Sequence, residues 1–230
     1  MSTQIAGQNQ SDRHRILSMA VAIVASFCSA ASFSQTFSSY EDVALSSLPE
    51  NVLWHVIARD GKSKNYSDLL PLDGGTVGIA HFAKGGLNAL YDNMDTNKYF
   101  GKDGATMRQQ YSTTCRPAGK KGDDTGWGCY SQKWWNEGMR KFLETNESKD
   151  IQHRAWAQLM KPVIKDALAH KWQSGRQLAI ALLIANSLGA AGFNRLATKE
   201  QWDAEKSLNA YAQTSDHTKR RRDALNQTYP

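Results

Sequence analysis

The feature that most constrains the fold is a strongly apolar stretch from Leu178 to Leu188. It is too short to cross a bilayer, because a transmembrane helix needs about 20 apolar residues. A helix that is apolar on most sides has to be surrounded by other elements, so the stretch predicts a buried central helix. With 40% hydrophobic and 22% charged residues, the composition excludes a mainly disordered chain, a collagen-like fibre and a polytopic membrane protein.

Further helical patterns surround this stretch. They begin at Leu87, cover about 131–146 and 149–171, and resume from Thr198 as one or two amphipathic helices. Pro162 lies inside the third of these patterns and should kink or split that helix. The chain is therefore expected to be mainly helical.

A first helix followed by a small hairpin is predicted near the start of the domain. Ser47 can cap the helix, and Gly61 favours its termination at Asp60. Turn residues fill 61–75, and 76–82 has strand character. We expect an α+β fold made of a helical bundle with a small β-hairpin wing that flanks a groove.

The N-terminus has the pattern of a secretory signal. Arg13-His14-Arg15 precedes an apolar run over 16–27, and small residues follow at 29–31. The run is too short for a permanent membrane anchor, so we expect an exported protein, periplasmic or secreted. The predicted organisation is a signal peptide at 1–31, a flexible leader at 32–46 and one domain at 47–230.

Removal of the signal would leave two cysteines, Cys115 and Cys129, on either side of a glycine-rich stretch. In an oxidising compartment this pair is expected to form a disulfide, although two independent buried thiols remain an alternative. Closing a loop of about 15 residues contributes roughly 3 kcal/mol in the chain-entropy model. Neither cysteine has the spacing of a zinc site, and we expect no metal and no cofactor.

Two aspartates are the candidate chemical groups. Motifs for serine hydrolases, phosphate loops, zinc proteases and dinucleotide binding are absent from the sequence. Asp60 ends the predicted first helix, and Asp73 precedes a Gly-Gly turn. Carboxylates on a helix end and a facing hairpin can flank a groove, which is the arrangement that glycoside hydrolysis needs. The alternative is that both are ordinary turn residues.

Several segments resemble a known superfamily. Thr76 to His81 resembles the Thr-x-Gly-x-Gly-His strand of phage-type lysozymes, and Val52 to Leu90 is similar to the helix, hairpin and helix that open the lysozyme-like superfamily. Gly189 to Phe193 and the basic segment at Arg220 to Arg222 are similar to later helices of family 46 chitosanases and bacterial cell-wall lysozymes. The similarity covers most of 48–225 loosely, and only the first segment is sharp.

The resemblance implies a glycoside hydrolase with assigned residues. Asp60 would be the general acid, Asp73 the base or electrostatic stabiliser, and Thr76 would orient water. His81 would close the strand beside the substrate. Asp60 stands where the family has Glu, and Ala80 stands where Gly is usual, so either the acid is an unusual aspartate or activity is weakened.

Three other residues are candidates for the same site. Glu50 is the nearest glutamate, but it lies roughly 15 Å along the helix from Asp60 at 1.5 Å per residue, so it is expected to be a first-turn acid and remains the alternative catalytic residue. Tyr66 and Trp127 are predicted to stack on sugar rings.

The net charge of +6 favours an anionic polymer. Peptidoglycan carries carboxylates, whereas chitosan is cationic, so the expected partner is peptidoglycan or a related amino-sugar polysaccharide. A chitosanase and a catalytically weakened glycan-binding module remain alternatives. The basic run from Lys219 to Arg222 is expected to be a solvated helix face, and no nucleic acid is expected as a partner. The sequence leaves the oligomeric state open.

Overall fold

A computed structural model of the protein describes residues 35–60, 64–101 and 129–230. Over these residues the chain is mainly helical with one small two-stranded sheet, which confirms the expected class. The predicted signal peptide, Trp127 and Cys115 lie outside the described residues, and the disulfide therefore stays a prediction.

The helices are α1 (Tyr40–Leu45), α2 (Leu48–Asn51, Val52–Ile57 and Ala58–Asp60 in succession), α3 (Leu87–Asn93), α4 (Thr96–Phe100), α5 (Lys133–Leu143), α6 (Ser148–Ala169), α7 (Gly175–Lys199), α8 (Ala204–Ala212) and α9 (Asp216–Thr228). The strands are β1 (Leu69–Leu70) and β2 (Thr76–Val77), paired antiparallel.

The centre of the fold is α7, as the apolar stretch predicts. Every residue from 178 to 185 is at most 2% exposed, and α2, α6 and α8 pack around this segment. Ser174 is the N-cap of the helix and forms a capping box, in which its hydroxyl oxygen accepts a hydrogen bond from the backbone N–H of Gln177. Among the described residues α7 is also the one helix long and apolar enough to span a membrane, and just over half of that stretch is buried inside the protein.

The prediction of a flexible leader is wrong for its described part. Phe37 is 1% exposed and Val43 is fully buried, so the segment from Gln35 belongs to the core. The Phe37 amide donates to the Gln173 carbonyl at 2.8 Å, which ties the segment to the start of α7. The serine-rich composition favours a flexible segment, but Phe37 and Val43 pack into the core and hold α1 there.

The first helix begins where the sequence predicts, its predicted end at Gly61 lies outside the described residues, and its middle is wound differently. Val52–Ile57 forms a π-helical segment, a form that is rare and occurs mostly as short insertions at functional sites. The predicted buried face is present, since Val52, Leu53, Val56 and Ile57 are at most 2% exposed. The side chain of Ser47 does not cap the helix.

The predicted strand over 76–82 stops after Val77. Gly78 and His81 have φ values of 64° and 57°, and the chain reverses so that Val77 and Phe82 exchange backbone hydrogen bonds at 2.9 Å. A Cβ on Gly78 would lie 1.8 Å from Oε1 of Gln152, so only glycine fits here without displacing that side chain. The segment is a tight turn anchored on α6.

One smaller expectation also changes. Helix α6 continues through Pro162 without being split, and this proline is exposed on the helix surface. A short helix, α4, follows α3, and its first backbone amides are capped by the Asp95 carboxylate.

Candidate functional site

A groove of about 550 Å³ lies where the hairpin turn, α6 and α7 meet. Its volume falls in the range of roughly 300–1,000 Å³ that is usual for ligand sites. Residues 80–86, 156–162 and 185–190 contribute its walls. The side chains that line it include His81, Trp156, Leu159, Met160, Asn186 and Ser187.

The groove has an apolar wall and a polar corner. Trp156, Leu159 and Met160 form the apolar wall on α6. We call His81, Asn186 and Ser187 the polar corner, because they bring the polar side chains of the lining together from the hairpin and α7. This mixture is typical of sites in which apolar area holds a ligand and a few polar groups orient it.

A break in α7 shapes one side of the groove. Gly189 has φ 72° and ψ 169°, which interrupts the helical geometry directly after the buried segment. Leu188 is 42% exposed at this point. The break lies between two buried parts of the helix, since Phe193 and Ala197 are also fully buried, and residues 186–190 line the groove.

Arg221 of α9 lies next to the polar corner and is 2% exposed. Its Nη1 donates to Oγ of Ser187 at 2.7 Å, and its Nη2 lies 3.1 Å from Nδ1 of His81. Because arginine is only a donor, Nδ1 of His81 has to accept, so the ring proton is on Nε2. The contact holds His81 in its left-handed backbone conformation, which costs a non-glycine residue of order 1–3 kcal/mol.

Helix α9 also packs against the end of α2. Arg220 lines a cavity of about 220 Å³ with Arg59, which precedes Asp60, and with Asp223. Arg220 and Arg221 are consecutive, so their Cα atoms are about 3.8 Å apart. Helix α9 therefore contacts both the end of α2, on the side of Arg220, and the polar corner, through Arg221.

The predicted catalytic residues are placed as follows. Asp60 is the last residue of α2, and its side chain lies outside the description. Asp73 is exposed in the turn between β1 and β2, with φ 51°. Thr76 is 4% exposed, and its hydroxyl donates to the Leu72 carbonyl at 2.9 Å, so its hydrogen stabilises the turn. Of the predicted site residues with described side chains, His81 is the one that lines the groove.

Tyr66 belongs to a separate aromatic cluster at the surface. Its hydroxyl is hydrogen-bonded to Nε2 of His153, and its ring meets Trp54 edge-on at 5.4 Å. Burial, with a smaller contribution from the Glu50 carboxylate, raises the pKa of Tyr66 to about 12. Burial lowers the pKa of His153 below its ordinary value, in keeping with a neutral ring that accepts from the tyrosine.

Glu50 is close to this cluster. Its carboxylate lies 3.8 Å from the ammonium of Lys149, and both side chains are about half exposed. Glu50 therefore occupies the position of a first-turn acid in a surface ion pair, as expected, and does not line the groove.

Sequence reasoning missed most of the groove. The helical pattern over 149–171 gives no sign that Trp156 lines a groove, and the expectation of a solvated basic face from Lys219 to Arg222 is wrong for Arg221, which is 2% exposed. A signal for Arg221 existed: Thr218, Arg221 and Leu225 follow a helical period and are all buried, which places a cation in the middle of an inward face.

The comparisons with known proteins give no further assignment, since no family model, no curated protein and no solved structure matches this chain. Within the described ranges no group of three or more His, Cys, Asp or Glu residues could hold a metal ion. The groove, Arg221 and the end of α2 are the described features that bear on function.

Proposed function

We propose that the protein is an exported glycoside hydrolase of lysozyme-like fold that cleaves the glycan strands of peptidoglycan. The observation that carries the proposal is the ligand-sized groove beside Arg221 of α9, a helix that also packs against the end of α2. Because one helix contacts both parts of the fold, it supports a shared site for a carboxyl group at Asp60 and a sugar in the groove.

In the proposed reaction, Asp60 is the general acid and protonates the glycosidic oxygen as the bond to the anomeric carbon breaks. Asp73 supports the second half of the reaction, either by accepting a proton from water or by stabilising the positive charge that develops on the ring. The groove holds the sugars against its apolar wall, while the polar corner orients their hydroxyl and substituent groups.

Charge favours peptidoglycan over chitosan as the substrate. None of the described residues that line the groove is acidic, and the cavity at the end of α2 is lined by two arginines, Arg59 and Arg220, and one acid, Asp223. A cationic polymer would meet an excess of positive charge at the end of α2, whereas a carboxylate-bearing polymer would be attracted there. The net charge of +6 acts in the same direction.

The test is a set of variants assayed for release of reducing ends from purified peptidoglycan. We expect Asp60→Asn to lower turnover by about 100-fold or more, because a general acid contributes roughly 10²–10⁴-fold. Asp73→Asn should also lower turnover. The matched control is Asp95→Asn, because asparagine caps a helix as well as aspartate does and α4 should stay intact.

Full activity in both Asp60→Asn and Asp73→Asn would show that the acid assignments are wrong. If Glu50→Gln abolished activity instead, the alternative alignment with Glu50 as the acid would hold. The ion pair with Lys149 at the surface predicts that Glu50→Gln remains active.

A non-catalytic glycan-binding module is the second candidate, and one observation favours it. Thr76, the residue expected to orient water, is buried and donates its hydroxyl hydrogen to the Leu72 carbonyl. Such a module would retain peptidoglycan in a pull-down assay without releasing reducing ends. Release of reducing ends by the pure protein that is lost in Asp60→Asn excludes this candidate.

A further inference from the structure

Tyr66 is attached to α6 through both its main chain and its side chain. Its backbone carbonyl accepts a hydrogen bond from Nε2 of Gln152 at 2.8 Å, and its hydroxyl is hydrogen-bonded to Nε2 of His153, the next residue of the helix. The rings of Tyr66 and His153 also lie against each other, with 5.3 Å between their centroids. Two consecutive residues of α6 therefore hold this one residue in place.

The segment that contains Tyr66 is also tied to the hairpin turn. The carbonyl of Asp68 accepts a hydrogen bond from the backbone N–H of Gly78 at 2.8 Å. Gly78 itself fits against the side chain of Gln152. The turn leads directly into residues 80–83, which line the groove. Tyr66 and Gln152 therefore connect α6 to one wall of the groove.

The hydrogen bond between the two side chains depends on the charge of His153. Since burial raises the pKa of Tyr66 to about 12, its hydroxyl keeps its hydrogen between pH 5 and pH 7. A neutral His153 can accept that hydrogen at Nε2, whereas a protonated ring has two N–H donors and no acceptor. Trp54, whose ring meets that of Tyr66 edge-on, has an indole N–H that can only donate and offers no replacement. Protonation of His153 therefore removes the acceptor of the Tyr66 hydroxyl.

The surroundings of His153 oppose its protonation. Burial is the largest cause of its lowered pKa, and the ammonium of Lys149 on α6 acts in the same direction. The carboxylates of Glu50 on α2 and Asp150 on α6 act in the opposite direction and are outweighed. Lys149 lies over the ring of Tyr66, 5.4 Å from its centroid, so a charge on His153 would arise close to an existing positive charge. The closed arrangement thus excludes a proton that the exposed ring would bind.

We propose that the hydrogen bond between Tyr66 and His153 is a pH-sensitive latch: a neutral His153 holds the hairpin turn on α6, and protonation of its ring releases the turn together with one wall of the groove. Because the closed state binds the proton less tightly than the open state, a fall in pH shifts the equilibrium toward the open state. The latch does not depend on the reaction that the groove performs, so it goes beyond the proposed function.

The size of the effect has an upper limit that His153 alone sets. If the ring takes no proton in the closed state and titrates at about 6.5 in the open state, the opening equilibrium increases by about 25-fold between pH 7 and pH 5. Partial protonation of the closed state makes the increase smaller. We therefore expect an increase of about 3–25-fold.

Hydrogen exchange of single backbone amides, followed by NMR at pH 7 and pH 5, tests the latch. The reporter is the N–H of Gly78, which donates to the Asp68 carbonyl. Its protection factor, corrected for the intrinsic exchange rate at each pH, should fall by about 3–25-fold from pH 7 to pH 5 in the wild-type protein. At both pH values it should stay about 10-fold or more below the protection factors of residues 178–185 in the buried part of α7. Equal protection of Gly78 and α7 would show that the turn opens only with the whole fold and would overturn the latch.

His153→Gln is the deciding variant, because glutamine can accept from the Tyr66 hydroxyl but does not titrate between pH 5 and pH 7. In this variant the fall should shrink to below about 2-fold. His55→Gln is the matched control, since it removes an exposed histidine from α2, and it should behave as the wild type. An unchanged fall in His153→Gln would overturn the latch and would assign the pH dependence to another group, such as His81 in the turn itself.

Tyr66→Phe tests the hydrogen bond directly, because it removes the hydroxyl and keeps the ring. It should lower the protection factor of Gly78 at pH 7 by about 2–10-fold. Wild-type protection in this variant would show that the hydroxyl holds nothing and would overturn the latch. This measurement decides the question if His153→Gln does not fold.

Discussion

Replacing Gly78 by alanine should destabilise the protein strongly, for two reasons that can be measured separately. The residue has φ 64°, and the left-handed conformation costs an L-residue about 1 kcal/mol. The new Cβ would also lie 1.8 Å from Oε1 of Gln152. Gln152 is 1% exposed and donates to the Tyr66 carbonyl at 2.8 Å, so moving it breaks a buried hydrogen bond.

Losing that bond and leaving a buried polar group unpaired adds about 1–3 kcal/mol. The expected decrease in the free energy of unfolding is therefore about 3 kcal/mol, or roughly 6–12 °C in Tm for a domain of this size. Urea denaturation followed by circular dichroism at 222 nm measures it directly.

Two other glycines serve as controls. Gly101 has φ 60° and ψ −136°, a backbone conformation that is essentially restricted to glycine, but no described atom lies within 4 Å of an added Cβ, so Gly101→Ala should cost only a backbone contribution of about 1–3 kcal/mol. Gly85 has neither the positive φ nor a neighbour within 4 Å, and Gly85→Ala should change stability by less than about 0.5 kcal/mol. A loss of only about 1 kcal/mol in Gly78→Ala, the cost of the backbone conformation alone, would refute the contact between the hairpin turn and α6.

Three further predictions concern packing, capping and pH. Phe37→Ala should lower the free energy of unfolding by about 3–5 kcal/mol, because the side chain is 1% exposed; a loss below 1 kcal/mol in a urea titration would mean that the leader does not pack on the core. Ser174→Ala should cost about 1 kcal/mol through loss of the α7 capping box, while Ser174→Asn should retain most of the stability. Because the pKa of His153 is lowered in the folded protein, the unfolded chain binds the proton more tightly, so stability should fall as the pH drops through about 6.5. Denaturation midpoints at pH 7 and pH 5 should therefore differ less for His153→Gln than for the wild type, and parallel changes would contradict the assignment.

The elements that local pattern determines were predictable. Residues 178–188 predicted a buried helix, and the proline and acid after Ser47 predicted where α2 begins. These features depend on residues that are close in sequence, because apolar periodicity and helix start signals can be read from a short window of the chain.

What depends on distant contacts was not predictable. Phe37 is anchored by the start of α7, and the strand after Val77 ends because Gln152 of α6 occupies the space beside Gly78. The groove forms from three segments that are far apart in sequence, and Arg221 matters because it reaches His81 across 140 residues. No pattern in a single sequence encodes such a meeting, so the sequence predicts His81 as a site residue but not its contact with Arg221 or its place beside Asn186 and Ser187.

In the proposed function, the protein adds water across a glycosidic bond of peptidoglycan. The most direct measurement is mass spectrometry of the soluble products after purified peptidoglycan is incubated with the wild-type protein and with Asp60→Asn. The account predicts disaccharide-peptide fragments whose new reducing ends carry the mass of one added water, and their absence in the variant. Glycan strands that stay intact with the folded wild-type protein, or identical fragments from both proteins, would contradict it.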